Sequence, residues 1–288
     1  MSSSSTWRVV EAKAVQESSP GTKVVRAKEV DRLTSSGEVE DGVQFVRVTE
    51  NFRILALGDS YTVGEGVSFG GNFPNTLKRL LLDKNNVPHF PCVEVKIVAK
   101  TGWATQHLLN GIDEDKSLQT CDAYDLVTLL IGVNNQYNAL SSTEYGADFE
   151  KLLGIAIDLA GKKRKNVVVL SIPDWGVTPF AREKGRNAFH IAKQIDEFNS
   201  INLEIAKKFN VRYISVTAWT RESSKDPSLL AGDGLHPSEA EYLRWANAIV
   251  ALLAKICKKT EKNKPNSDSI CAFISFSTVA NSLGINFW

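Results

Sequence analysis

A hydroxyl, an imidazole and a carboxylate, far apart along the chain, are placed as the parts of a nucleophilic site. Ser60 follows directly on Ile54-Leu55-Ala56-Leu57-Gly58-Asp59, where an apolar strand would break into a turn. Near the other end, Asp233-Gly234-Leu235-His236-Pro237 sets a carboxylate and an imidazole three residues apart. Gly102 and the run Gly132-Val133-Asn134-Asn135 also come after apolar runs. Acyl transfer by serine needs a base for the hydroxyl proton, a group that orients the base, and donors for the developing oxyanion. In this reading Ser60 attacks, His236 takes and returns the proton, and Asp233 holds the second imidazole nitrogen. The oxyanion would meet the backbone N–H of Ser60, the backbone N–H of Gly102 and the side-chain amide of Asn134. A residue without Cβ at 102 lets its N–H approach closely. Asn134 is a neutral donor, which a buried site can hold without a compensating charge.

Each residue also has a simpler use. Gly-Asp-Ser after a strand serves as a turn with a helix N-cap, and Asn134-Asn135 as a cap. Gly102 suits any turn, His236 a solvated helix start, and Asp233 a local turn bond. The argument for one site rests on their joint occurrence, in order, each after an expected strand.

The elements that must position them follow from the apolar pattern. Ile54–Leu57, Val93–Val98, Leu126–Ile131, Val167–Ile172 and Val211–Val216 are short and rich in Val, Ile and Leu, as strands covered on both faces are. Longer amphipathic stretches at about 72–86, 103–110, 143–162, 188–209 and 237–256 are expected helices. Five successive β-then-α units imply an α/β fold, a parallel sheet between two helix layers. Ligands of such sheets bind beyond the carboxyl ends of the strands. Ser60, Gly102, Gly132–Asn135 and the loop Pro173–Phe180 all fall there. The expected organisation is a loosely ordered extension over residues 1–50 with an added strand near Val43–Val48, a catalytic domain over 51–257, and a tail over 258–288. Pro237 is expected in the first turn of the last helix.

Composition excludes several classes. With 34 Lys+Arg against 33 Asp+Glu the chain has no electrostatic footprint for nucleic acid. Cys92, Cys121, Cys257 and Cys271 are irregularly spaced, which argues against a zinc site or redox dithiol. The N-terminal Met1-Ser2-Ser3-Ser4-Ser5-Thr6 does not read as an export signal, so a cytoplasmic protein with free thiols is expected. No cofactor is expected: Gly64–Gly71 misses the dinucleotide spacing and lies too far past the strand, and it reads as a mobile rim loop. Twelve of the last twenty residues are apolar, but Ser, Thr, Asn and Gly interrupt them and make the tail a weak membrane anchor. Trp103, Tyr137, Trp175 and Phe180 share loops with the site residues, where they would line a pocket or cover the core. His89, His107 and His190 read as surface or helix residues. The expected partner is a small-molecule ester.

With these residues in view, the chain resembles the SGNH, or GDSL-type, hydrolases over about residues 52–256. Gly58-Asp59-Ser60-Tyr61 resembles the first motif block, with Tyr61 where Leu is usual. Lys100-Thr101-Gly102-Trp103 resembles the second. Gly132-Val133-Asn134-Asn135 resembles the third, with Asn135 in place of a frequent Asp, and Asp233–Pro237 resembles the last. The resemblance implies a three-layer α/β/α sandwich on a five-stranded parallel sheet, of flavodoxin-like type. It further implies a cofactor-independent esterase or lipase-like activity, with thioesterase, lysophospholipase and an idle binding module as alternatives. Within the family, the stretches Gly132–Tyr137 and Pro173–Phe180 look most like bacterial lysophospholipase and acyl-ester hydrolase members.

Overall fold

Three uninterrupted apolar runs build the centre of the structure. The computed structural model describes residues 7–19, 22–32, 45–49, 51–86 and 88–262, with side chains described over 51–86 and 88–255. These fall into two units, Met1–Asn51 with Phe90–Val93 and Phe52–His89 with Glu94–Trp288.

The first unit carries strands β1 (Trp7–Ser19), β2 (Thr22–Arg32) and β3 (Phe45–Thr49) in one antiparallel sheet of order β1-β2-β3. This differs from the loosely ordered extension expected over 1–50, while β3 overlaps the strand expected near Val43–Val48. Antiparallel ladders are made by backbone groups, so a polar segment can form one without the apolar signal that marks a buried strand.

The second unit is built on β4 (Asn51–Gly58), β5 (Cys92–Ala99), β6 (Leu126–Leu130), β7 (Val167–Leu170) and β8 (Arg212–Ile214), ordered β5-β4-β6-β7-β8 in a five-stranded parallel sheet. Every residue of β6 and β7 is buried, as is Ile54–Gly58 of β4. That is why these segments read as continuous apolar runs rather than alternating ones. Strands β7 and β8 end earlier than the apolar pattern suggests. The Ser171 hydroxyl accepts from the Val216 and Thr217 amides at 2.8 and 3.0 Å, and a side chain there takes over from the ladder.

Ten helices lie among the described residues: α1 (Ser60–Val63), α2 (Phe73–Leu82), α3 (Thr105–Glu114), α4 (Lys116–Gln119), α5 (Val133–Tyr137), α6 (Ser142–Leu159), α7 (Pro179–Glu183), α8 (Ala188–Lys208), α9 (Thr217–Arg221) and α10 (Glu239–Lys262). Helices α2 and α10 pack together; α6 packs against both α3 and α8. The α/β sandwich expected from the sequence is the observed fold.

The last helix starts at Glu239 rather than at Pro237. Pro237 instead forms an isolated antiparallel bridge with Leu230. The tail from residue 263 onward, including the anchor reading, lies outside the described residues. Among the described residues no helix is long and apolar enough to cross a membrane.

The α2–α10 seam is aromatic. Trp245 is fully buried, its ring centroid 6.0 Å from that of Phe73 and 5.2 Å from that of Tyr242, and its indole N–H donates to Glu241 at 2.8 Å. Trp245→Ala is expected to cost about 3–5 kcal/mol. The measurement is the urea midpoint at unchanged slope.

Candidate active site

Strand β4 ends in a helix because Asp59 caps it. The Asp59 side chain accepts from the Tyr61 amide at 3.0 Å, its carbonyl accepts from Thr62 and Val63, and α1 begins at Ser60. The hydroxyl is thereby set at the carboxyl end of β4, beside β6, with Gly58 paired to Leu130. The sheet order reverses here, since β5 lies on one side of β4 and β6 on the other. This is the crevice where open α/β sheets bind ligands.

His236 and Asp233 arrive on a separate loop, tied at its base. The Ala231 amide donates to the His236 carbonyl at 2.8 Å, and the Ser238 amide to the Leu229 carbonyl at 2.9 Å. Within it, Asp233 Oδ1 accepts from the Leu235 and His236 amides at 2.9 and 3.0 Å. The other carboxylate oxygen lies 2.6 Å from His236 Nδ1, and His236 Nε2 lies 3.0 Å from Ser60 Oγ, a partner 176 residues away. Tyr61 packs its ring against the imidazole with centroids 5.0 Å apart, so this departure from the usual Leu braces His236 from the side. Ser60 is 5% and His236 7% exposed, while Asp233 is exposed.

The two carboxyl groups near the serine behave oppositely. Burial acts upward on Asp233, but the bond from the His236 side chain and those from the His236 and Leu235 amides outweigh it and hold the group below the usual carboxylate range. Asp59 is wholly buried, and its Oδ2 has no hydrogen-bond partner. Burial pushes this carboxyl up to about 7, against the opposing bond from the Tyr61 amide.

The oxyanion candidates form a second group. Gly102 sits at φ +83, a conformation that L side chains rarely adopt; backbone shape, more than crowding, calls for glycine, since a Cβ there would meet nothing within 4 Å. Asn134 is at the second position of α5 and donates one amide hydrogen to the Trp103 carbonyl at 2.9 Å. An amide NH₂ has two hydrogens, so the second stays available once the first has fixed the orientation. Asn135, the departure from the family's frequent Asp, links the two loops: its Oδ1 accepts from the Thr105 amide at 3.0 Å and its Nδ2 donates to Thr105 Oγ1 at 2.9 Å. Thr101 Oγ1 donates to Glu65, joining the Gly102 loop to the segment after Ser60. The roles of Asn135, Tyr61 and Glu65 were not readable from the sequence, because each acts through a partner distant in the chain.

The Gly64–Gly71 run, expected to be a mobile rim loop, is tied down. Ser68 donates to Glu239 at 2.6 Å, Asn72 Nδ2 donates to the Val63 carbonyl at 2.8 Å, and Gly66 lies against Asp233. His107 Nδ1 accepts from the Ala104 amide at the start of α3. Cys92 and Cys121 are free thiols, whereas the Cys257 side chain and Cys271 lie outside what is described. Among the described residues no group of three or more His, Cys, Asp or Glu side chains is arranged to hold a metal ion.

The family model described as "GDSL-like Lipase/Acylhydrolase family" matches residues 56–244. The chain belongs to this family. All four of the short blocks from which the resemblance to SGNH/GDSL hydrolases was read lie within the matched span. A comparison with curated proteins finds no match. Among solved structures, a catalytic mutant of an acetylxylan esterase from Geobacillus stearothermophilus is 20% identical with a TM-score of 0.53, covering 70% of this chain and 93% of that one. LAE5, an alpha/beta hydrolase from the metagenome of Lake Arreo, is 18% identical with a TM-score of 0.53, over 70% and 94%. A lipase/acylhydrolase from Enterococcus faecalis is 20% identical with a TM-score of 0.50, over 72% and 96%. At these identities the likeness establishes the fold of this GDSL-like chain.

Two outcomes follow from the geometry. A carboxyl whose folded value is raised to about 7 from 3.8 binds more protons in the folded state between those limits, so its contribution to stability falls as pH rises through that window. Asp59→Asn lacks this ionisation, so its stability relative to wild type is expected to rise from pH 5 to pH 8 in paired urea titrations. A difference that is flat with pH would contradict a buried, ionising Asp59. Asn135→Ala leaves the buried Thr105 amide without its acceptor and Thr105 Oγ1 without its donor, and is expected to cost about 1–3 kcal/mol in the same assay.

Proposed function

We propose that this GDSL-like hydrolase cleaves carboxylic esters through an acyl-enzyme intermediate. The observation that carries the reading is the continuous hydrogen-bonded relay from Ser60 Oγ through His236 to Asp233, at 3.0 and 2.6 Å. His236 Nε2 is within reach of the hydroxyl proton, and Asp233 holds Nδ1–H so that Nε2 carries the lone pair that takes it. Asp233, held ionised by its bonds, stabilises the imidazolium formed as Ser60 Oγ bonds to the ester carbon. His236 then delivers that proton to the leaving alcohol, and the same imidazole activates water to release the acid from Ser60. The backbone N–H groups of Ser60 and Gly102 and the free hydrogen of the Asn134 amide are assigned to the oxyanion, where donors fixed in advance act most strongly.

The substrate is taken to be a small-molecule ester. Proteins of similar fold include an acetylxylan esterase and a lipase/acylhydrolase, so acetylated sugars and lipid-like esters are the first substrates to test. Thioesters and lysophospholipids would use the same machinery on a different leaving group.

A fluorophosphonate probe is expected to label wild type at Ser60 and to leave Ser60→Ala unlabelled. An unlabelled, folded wild type would favour a binding module that keeps the pocket. Asn134→Ala is expected to lower kcat on p-nitrophenyl acetate by about a hundredfold or more, with a smaller effect on KM. A change confined to KM would remove Asn134 from the oxyanion site.

A further inference from the structure

Three aromatic rings form a contiguous wall on the loops that also carry candidate site residues. Tyr137 and Trp175 meet edge to face with centroids 5.2 Å apart, and Trp175 meets Phe180 at 6.2 Å. The wall is rigid at its centre. Trp175 is buried, and its indole N–H donates to Gln136 Oε1 at 2.7 Å, while Gln136 Nε2 donates to Gln194 at 2.9 Å. Both ends join the site. Tyr137 closes the same short helix that carries Asn134, and the Phe180 amide donates to the Gly234 carbonyl, within the loop that bears Asp233 and His236. The rings thus run from the helix that carries Asn134 to the loop that carries His236, the two segments that bring these side chains toward Ser60.

Two cations stand over the wall's outer rings. The Arg186 guanidinium lies 5.8 Å from the Tyr137 centroid, and Lys184 Nζ 5.7 Å from that of Phe180. Among the described residues neither forms an ion pair with a carboxylate. Asp174 and Asp196 both pair with Arg221, at 2.8 and 2.7 Å. Segment 182–186 holds three basic residues and one acid, in a chain whose overall charge is only +1, so the positive charge is local. Ring faces hold the cations by quadrupole attraction and leave their outer N–H groups directed to solvent, where an anion can bind.

We infer that Tyr137, Trp175 and Phe180, with Arg186 and Lys184, form a specificity subsite for esters that carry an anionic group on the acyl or the alcohol side. The rings take the apolar span next to the ester, and the two cations take the carboxylate or phosphate beyond it. This rests on Ser60 being the nucleophile.

The test compares matched ester pairs that place the charge on either side of the bond. p-Nitrophenyl hemiglutarate is set against p-nitrophenyl valerate, and acetyl glycerol phosphate against glycerol monoacetate. In wild type the charged member of at least one pair is expected to show the lower KM at low salt, with the advantage shrinking as salt rises. The double variant Lys184→Ala/Arg186→Ala is expected to lower the charged-to-neutral ratio of kcat/KM about tenfold, and Lys184→Arg/Arg186→Lys to keep it. The pair that responds identifies the side of the ester, carboxylate or phosphate, that the subsite reads. Ratios unchanged in the double variant for both pairs would overturn the subsite. Calorimetric titration of glutarate and of glycerol phosphate needs no turnover. Heat seen with wild type and lost in the double variant supports the subsite even if the hydrolase reading fails, and no heat with either anion counts against it.

Discussion

At Gly58 the chain passes so close to its neighbours that no side chain fits. A Cβ there would come within 2.5 Å of the Leu130 carbonyl oxygen and 2.1 Å of Thr62 Oγ1. That approach brings the end of β4 against the end of β6 and folds the next residues back into α1. Ser60 and Asn134 then emerge beside each other from adjacent parallel strands, and the crevice between them is the place where a third loop can deliver His236. This close approach at the paired ends of β4 and β6 is a matter of packing density rather than of attraction.

Two acids within a short distance of the serine have opposite fates, and the contrast explains the electrostatics of the site. Asp233 is exposed and receives three donors from its own loop, so its charge is solvated by water and peptide N–H groups alike. Asp59 keeps one oxygen on the Tyr61 amide and leaves the other unpartnered in the interior. The same functional group thus serves as a charged partner in one position and as a helix cap in the other. Which it becomes depends on solvent access and donor count.

The centre of the sheet was legible because β6, β7 and Ile54–Gly58 of β4 are buried and their apolar runs carry no competing pattern. The blocks at Ser60, Gly102 and Asn134 were legible because each sits just after a strand, and Asp233–His236 because a carboxylate and an imidazole stand three residues apart. Legibility ended where a residue acts through a distant partner. Asn135 reads as a cap but clamps Thr105, thirty residues away, and Tyr61 reads as a substitution but braces the imidazole. Pro237 reads as a helix start, yet its bridge to Leu230 closes the loop that carries His236. The polar strands of the first unit escaped notice for a different reason. Their pairing is a backbone property that needs no apolar run to mark it.

By itself the amino-acid order determined the number and kind of the core strands, the places where the chain must turn, and the types of side chain offered at those turns. These are local matters, set by apolar runs and by residues such as Gly, Asp and Asn that end them. Only the tertiary structure decided that Ser60 and His236 lie 3.0 Å apart, that Asn134 has one amide hydrogen committed to Trp103, and that an aromatic wall joins the helix of Asn134 to the histidine loop. Those are distances between segments far apart in the chain. They depend on strand order and on how closely backbones can pack, which no local pattern specifies.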